Sequence, residues 1–292
     1  HALPLDNKYE PPGMGFGATV YILDTGIDVT NSGFEHNVTL AQTPGCGDFV
    51  NDDWGKLYGA IDNNGHGTHV AGIVGSWAYG VAPGAQLVGL RVADGTGRGG
   101  VNAALKAIDW LNQNAVRPAV VVMSLNYGND NALRDAVSDS VASGLIYIAA
   151  AGSNYGDACH TSPGGAEGVI TVAATTVADT QTNLSNWGSC VDLWAPGADI
   201  PSLWIHGKHH HLSGTSMAAA YVAGAAALHI AMYPDSSPAE VMYRLKDAAA
   251  ADIITLQPGT LTRRTANLFL QTGSFESRSH HLKAPFEFVD GN

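Results

Sequence analysis

Residues 18–28 read ATVYILDTGID, a short apolar run, rich in β-branched and aromatic residues, that ends at an aspartate, a threonine and a glycine. A run of this length bounded by turn-forming residues predicts a β-strand that is covered on both faces. Asp24 follows the run directly. Ligands of open α/β sheets bind beyond the carboxyl ends of the strands, so Asp24 is a candidate site residue.

Runs of the same kind recur along the chain and alternate with helical patterns. Strands are predicted at 18–23, 85–92, 119–125, 144–150 and 168–174, and helices at 101–113, 131–143, 216–232 and 238–249. Near-continuous apolar strands separated by helices are typical of a parallel sheet with helices on both faces. We therefore predict an α/β fold with a mostly parallel central sheet, in which Asn126 and Ser153 also follow strand ends.

The composition argues against several classes of protein. A chain of 292 residues with 45% hydrophobic residues can bury a large core in one domain. The formal net charge is −12 and Lys and Arg form no cluster, so no nucleic-acid partner is expected. The longest nearly apolar run, at 217–232, is shorter than the roughly 20 residues of a membrane-spanning helix, so no span is expected.

The sequence begins with His1 rather than methionine, which indicates a processed or trimmed start.

The segment GTGRGG at 95–100 matches the dinucleotide-binding pattern G-x-G-x-x-G between a predicted strand and a predicted helix. The next strand is followed by Ser-Leu-Asn at 124–126, without the acidic residue that would hold a ribose hydroxyl. A glycine pattern alone is weak evidence. A flexible surface strand or loop is therefore favoured over a nucleotide site.

Three separate stretches contain residues that together can perform acyl transfer. Asp24 ends the first strand, His66 begins a helix in NNGHGTHVAG (63–72), and Ser216 begins another in LSGTSMAAAYVAG (212–224). Taken alone, the last stretch is typical of the start of a buried helix. Nucleophilic acyl transfer needs a hydroxyl, an imidazole that takes its proton and a carboxylate that orients the imidazole. A helix that starts near Ser216 would also direct its amide groups at a developing oxyanion.

The motifs DTGID, NGHGTHVAG, SL after one buried strand, AAG after another, and SGTSMA resemble, in this order and spacing, those of the subtilisin-like serine proteases. The likeness runs from about Leu5 to about Leu270 and looks closest to the proteinase K branch of that family. It implies that Asp24 orients His66, that His66 is the general base and then the general acid, and that Ser216 attacks the scissile carbonyl.

The resemblance also implies where a substrate peptide lies. One strand that pairs with the substrate backbone would be Gly97, Arg98, Gly99 and Gly100, and the other Ser124, Leu125 and Asn126, with Gly152 beside the pocket. The oxyanion would be bound by Ser216 together with Ser153 or Asn154. His69, in the same HGTH motif as His66, looks like a buried packing residue.

Three positions depart from the family. Asn126 replaces the glycine of Ser-Leu-Gly, and its side chain should narrow the pocket for the residue before the scissile bond. Ser153 replaces the asparagine that donates to the oxyanion, and losing such a donor costs roughly 10² to 10³ in kcat. Ala220 replaces a proline, which would let Ser216 retreat slightly.

The sequence therefore predicts a serine endopeptidase with an Asp-His-Ser triad that is slow or narrow in specificity. Two alternatives remain open. One is an acyl transferase or peptide ligase that prefers amine acceptors, and the other is a weakly active or inactive relative that serves as a binding protein.

The resemblance implies further features. It implies a disulfide between Cys159 and Cys190, while Cys46 has no evident partner. Asp192 matches a position that holds a structural calcium ion in relatives, with backbone carbonyls from near 167–169. No cofactor is expected for the chemistry. We expect a catalytic domain at 1–272 and a C-terminal tail at 273–292, in a secreted monomer that binds peptide or protein substrates and its own propeptide.

Overall fold

The computed structural model describes residues 13–34, 37–40, 47–50, 60–261 and 264–272. Cys46 and the predicted tail at 273–292 lie outside this part of the chain. The strands are β1 (Thr19–Asp24), β2 (Val38–Leu40), β3 (Gln86–Arg91), β4 (Ala119–Met123), β5 (Ile146–Ala150), β6 (Ile170–Thr175), β7 (Leu193–Pro196), β8 (Ile200–Trp204), β9 (Lys208–Leu212), β10 (Ala250–Ala251) and β11 (Leu268–Phe269). The helices are α1 (His66–Gly75), α2 (Val101–Asn114), α3 (Asn131–Ala142), α4 (Thr215–Met232), α5 (Pro238–Ala248) and α6 (Pro258–Leu261).

Within the described residues, nine strands form one sheet in the order β10-β11-β7-β6-β5-β4-β1-β3-β2. Neighbouring strands are parallel except for the pair β10 and β11 at one edge. Strands β8 and β9 form a separate antiparallel hairpin. The predicted α/β fold with a mostly parallel central sheet is confirmed.

The alternation of side chains along β1 shows how both faces of the sheet are covered. Val20 and Ile22 pack in one apolar cluster with residues of α1 and α4. Tyr21 and Leu23 point the other way and pack in a second cluster with residues of α2 and α3. Because each strand side chain alternates between faces, a central strand of this sheet has to be apolar at nearly every position.

Helix α4 runs along the sheet and packs against β4, β5, β6 and β7. Its small residues also allow close packing on the neighbouring helix α1: at Gly224, an added Cβ would lie 2.5 Å from the Cβ of Val81, in the segment that follows α1. Among the described residues, α4 is the one helix that is both long enough and apolar enough to cross a membrane. However, 78% of it is buried inside the fold, as is usual for a core helix. Its first residues carry Ser216 to the end of the sheet.

A disulfide joins Cys159 and Cys190, which lie 31 residues apart in the sequence. It links the segment after β5 to the segment before β7. The predicted pairing is confirmed.

Candidate active site

Asp24 and His66 meet where β1 ends and α1 begins. The Oδ1 atom of Asp24 lies 2.7 Å from Nδ1 of His66 and accepts the amide of Thr25 at 2.8 Å. Asp24 is fully buried, and within the described residues its Oδ2 atom has no hydrogen-bond partner. The short contact fixes Nδ1 of His66 as the protonated nitrogen and leaves Nε2 to act as a base.

Asp62 holds the loop that presents His66. Its nearly buried carboxylate accepts the hydroxyl of Thr25 at 2.9 Å, the amides of Asn64 and Gly65 at 2.9 Å, and the amide and hydroxyl of Thr68 at 3.0 and 2.6 Å. These bonds tie the end of β1 to the first turn of α1. Sequence reasoning missed Asp62, although an aspartate just before a helix start is a capping signal.

The pKa of His66 is raised above its ordinary value. Burial by itself lowers the pKa, but the charge of Asp24, the hydrogen bond to that carboxylate and the charge of Asp62 outweigh it. The imidazolium form is therefore stabilised, as a general base requires after it has taken a proton.

Ser216 is the second residue of α4 and lies beside Ser124. Its hydroxyl donates to the carbonyl oxygen of Ser124 at 2.8 Å, and the hydroxyl of Ser124 donates back to the carbonyl oxygen of Ser216 at 3.2 Å. Ser216 is thus tied to the segment after β4. Its single O–H points at Ser124 in this conformation rather than at His66.

Ser153 lies at the start of α4. Its hydroxyl oxygen accepts the amide of Thr215 at 3.2 Å and lies 3.2 Å from the hydroxyl of Thr215, which itself accepts the amide of Gly152 at 3.1 Å. The side chain of Asn154 instead lies against Gly156, about 3.4 Å from where a Cβ there would be. Of these two sequence candidates for oxyanion binding, the fold brings Ser153 next to the nucleophile helix.

We use the word crevice for the gap between the segments that follow β4 and β5, which are neighbouring parallel strands. Asn126 lies on one side and Gly152 on the other, and Nδ2 of Asn126 is 2.7 Å from the point that a Cβ on Gly152 would occupy. Next to Asn126, the half-buried Tyr127 packs into the cluster under α2, and its hydroxyl is 3.1 Å from where a Cβ on Gly99 would lie. The crevice is therefore narrow.

Residues 94–97 form a tight turn, and residues 98–100 lead from this turn into α2. Gly99 pairs with Ala93, and the carboxylate of Asp94 accepts the amides of Thr96 at 2.8 Å and Arg98 at 3.1 Å. An acidic side chain already occupies the amides that a phosphate group would need. This arrangement supports the surface-strand interpretation of GTGRGG over a nucleotide site.

His69 is a fully buried histidine between α1 and the hairpin β8–β9. Its Nε2 atom lies 3.0 Å from the carbonyl oxygens of both Ile200 and His210, so it must donate. Burial lowers the pKa of His69 to about 4, which keeps the ring neutral. The structure gives His69 the packing role expected from the sequence.

The surroundings of Asp192 do not fit a calcium ion. Its Oδ1 atom is 2.8 Å from the ammonium of Lys246, and its Oδ2 atom accepts the amide of Thr171 at 3.0 Å. Calcium takes six to eight oxygen ligands, and an ammonium beside the carboxylate opposes a second cation. In the described chain no group of three or more His, Cys, Asp or Glu side chains is arranged to hold a metal ion.

Comparison with known proteins shows that most of the chain is similar in sequence to serine proteases. The chain is 40% identical over 261 residues to alkaline serine exoprotease A of Vibrio alginolyticus, covering 89% of this chain and 47% of that protein. It is 38% identical over 279 residues to an extracellular serine proteinase of Thermus sp. strain Rt41A, covering 92% of this chain and 63% of that protein. The chain thus spans about half to two thirds of the length of these relatives.

The fold is shared as well. The crystal structure of a cold adapted subtilisin-like serine proteinase matches with a TM-score of 0.86 at 39% identity, covering 93% of this chain and 94% of that one. The sequence model of the subtilase family matches residues 15–275, which include Asp24, His66 and Ser216. The chain therefore belongs to the subtilase family.

Proposed function

We propose that the protein is a serine endopeptidase that cleaves peptide bonds through an acyl-enzyme. The observation that carries the proposal is the 2.7 Å contact between the buried Asp24 and Nδ1 of His66, at the same end of the sheet as Ser216. Asp24 orients His66 and stabilises its imidazolium, His66 is general base and then general acid, and Ser216 is the nucleophile.

The reaction begins with a change of hydrogen-bond partner at Ser216. Its O–H leaves the carbonyl of Ser124 by rotation about the Cα–Cβ bond and turns to Nε2 of His66, which takes the proton as Oγ attacks. The first amides of α4 and the positive end of its dipole stabilise the oxyanion. His66 then gives the proton to the leaving amine, and water repeats the sequence to release the acid. No metal or organic cofactor takes part.

Substrate binding rests on two extended segments. The segments Gly97 to Gly100 and Ser124 to Asn126 pair with the peptide backbone of the substrate, as strands added to an edge do. Gly152 borders the pocket for the residue before the scissile bond. Ser153 is a weaker oxyanion donor than an asparagine would be, and Asn126 narrows the pocket, so hydrolysis is slow and selects short side chains.

The protein acts outside the cell as a monomer, on peptides or unfolded proteins, after a propeptide has assisted its folding. The disulfide between Cys159 and Cys190 suits an oxidising compartment. A relative is named as an extracellular serine proteinase, which supports the same location.

The proposal is tested with peptide esters of varied sequence, each incubated with the protein and an amine-bearing acceptor peptide, and analysed by mass spectrometry. Ser216→Ala is the control. Hydrolysed acid that disappears in the control supports a protease. Joined peptide in its place supports a ligase, and the absence of any Ser216-dependent product supports a binding protein.

A further inference from the structure

The crevice beside Ser216 carries a polar group that has a fixed orientation. The Oδ1 atom of Asn126 accepts the amide of Gly128 at 2.8 Å, within its own loop. The carboxamide is planar, so this bond directs Nδ2 away from the loop and across the crevice toward Gly152. Among the described residues Nδ2 has no hydrogen-bond acceptor, and the side chain of Asn126 is exposed, so this donor bonds to water in the free protein.

The crevice is where the acyl side of a substrate lies if Ser216 is the nucleophile, which makes this inference dependent on the proposed function. Ser124 bonds to Ser216 on one wall, and Gly152 bonds to Thr215 on the other. A side chain entering between these walls meets the NH₂ group of Asn126. A short apolar chain would leave that donor without a partner, whereas a short chain that ends in oxygen would accept from it.

We propose that Asn126 is a specificity-determining residue that selects, just before the scissile bond, a short side chain ending in a hydrogen-bond acceptor, such as asparagine, serine or threonine. The selection is by chemistry as well as by size. Leucine and asparagine have similar shapes, as do valine and threonine, so each pair separates the two effects.

The test measures binding in the Ser216→Ala background, where no cleavage can occur. Peptides that differ only in asparagine against leucine, or threonine against valine, are titrated by calorimetry against this variant with Asn126 intact and with Asn126→Asp. The aspartate keeps the shape and the bond to Gly128, but replaces the donor by an acceptor. The matched control is Asn129→Asp, which makes the same change on an exposed side chain three residues farther along the same loop.

We expect the oxygen-bearing peptide of each pair to bind roughly three- to tenfold more tightly with Asn126, from one net hydrogen bond. Asn126→Asp removes or reverses that ratio, and Asn129→Asp leaves it unchanged. Equal affinity within the pairs, including no measurable affinity for either peptide, overturns the inference. The proposed function fails separately, when no peptide is cleaved by the unmodified Ser216 enzyme.

A second inference rests on a different part of the fold, the ion pair between Asp192 and Lys246. Lys246 comes from the last turn of α5, and its ammonium lies 2.8 Å from Oδ1 of Asp192. Asp192 exchanges backbone and side-chain bonds with Thr171 in β6, so the carboxylate joins the sheet to the helix. The side chains of Asp192 and Lys246 are 18% and 36% exposed, which allows a partly desolvated contact.

We infer that the ammonium of Lys246 takes the place of a structural calcium ion at Asp192. The contact between β6 and α5 is therefore independent of calcium. The test compares thermal unfolding with excess calcium chloride and with excess EDTA, for the parent protein and for Asp192→Asn. We expect the difference in Tm between the two conditions to be the same in both proteins. A calcium-dependent part of Tm that is lost in Asp192→Asn overturns the inference. Lys246→Met gives a second measurement, and we expect its Tm in EDTA to be lower than that of the parent protein. If the two proteins have the same Tm in EDTA, the inference is also overturned.

Discussion

The indole ring of Trp204 fills the space that a side chain on Gly65 would need, one residue before His66. Trp204 ends β8, and its carbonyl oxygen accepts the side-chain amide of Asn31 at 2.9 Å, which holds the hairpin in place. Gly65 also has a φ of 115°, which residues with a Cβ rarely adopt. The position of His66, the proposed general base, thus depends on a glycine packed under a tryptophan.

Gly65→Ala should therefore impair both stability and activity. The positive φ alone costs roughly 1 to 3 kcal/mol, and the contact with Trp204 adds to it because the ring has to move. We expect a lower free energy of unfolding in urea and a lower kcat/KM, since a displaced ring shifts His66. The matched control is Gly207→Ala in the same hairpin, where φ is 69° and no described atom lies within 4 Å of the point that an added Cβ would occupy. Equal losses in the two variants would show that Trp204 has no effect.

Asp62 is a positioning residue whose charge acts on His66. Burial lowers the pKa of His66, but Asp24 and, to a smaller extent, Asp62 raise it above 6.5 overall. Only the neutral imidazole accepts a proton, so kcat/KM should fall as pH drops through this raised pKa. Asp62→Asn removes one of the raising charges, and we expect the acidic limb of the pH profile to move to lower pH.

The control for Asp62→Asn is Asp130→Asn. Asp130 also caps a helix, accepting the amide of Leu133 at 2.9 Å at the start of α3. Asparagine caps helices about as well as aspartate, so Asp130→Asn removes a carboxylate charge at a helix start without changing the charge near His66. A midpoint that stays in place in Asp62→Asn, with only the amplitude reduced, would leave Asp62 a purely structural role.

Removing the buried hydroxyl of Tyr127 should affect the stability of the protein differently from removing that of Tyr147. The hydroxyl of Tyr127 has no hydrogen-bond partner within the described residues, whereas that of Tyr147 lies 2.9 Å from the hydroxyl of Ser140. An unpaired buried hydroxyl carries a desolvation cost of about 1 to 3 kcal/mol. Tyr127→Phe should leave stability unchanged or raise it, and Tyr147→Phe should lower it by about 1 kcal/mol, as measured by urea unfolding. A loss in Tyr127→Phe as large as in Tyr147→Phe would mean that the hydroxyl of Tyr127 is bonded to water.

The central strands and helices could be predicted from the sequence because apolar residues continue along each of them, in unbroken runs in the strands and at helical spacing in the helices. The predicted strand at 119–125 and the predicted helix at 216–232 agree with β4 and α4 within two residues. Strand β9 gave no such signal, because its residues Lys208 to His211 are polar and exposed and are paired only through the hairpin. Short β7, which includes Trp194 and Pro196, is defined by its neighbours in the sheet.

The candidate site likewise contains residues that the sequence reveals and residues that only the fold reveals. Asp24, His66 and Ser216 stand in local motifs that are visible without a fold. The role of Asp62 depends on contacts with Thr25, 37 residues away, and the partner of Asp192 is Lys246, 54 residues away. Such pairs form only when strands and helices pack, so the local sequence shows at most that Asp62 precedes a helix and not which distant residues it contacts.

Ser153, the proposed oxyanion donor, is a position where one substitution should raise the activity. The hydroxyl oxygen of Ser153 accepts the amide of Thr215 at 3.2 Å and lies 3.2 Å from the hydroxyl of Thr215, so this short side chain is held against the start of α4. An asparagine at this position reaches farther and carries an NH₂ group with two donors. Ser153→Asn should raise kcat on peptide substrates, by up to the order of 10², with a smaller effect on KM because the donor acts on charge that develops in the transition state. Ser153→Gln tests the geometry, since the same amide on a longer chain should not align. If Ser153→Asn leaves kcat unchanged while the protein remains folded, another donor already binds the oxyanion.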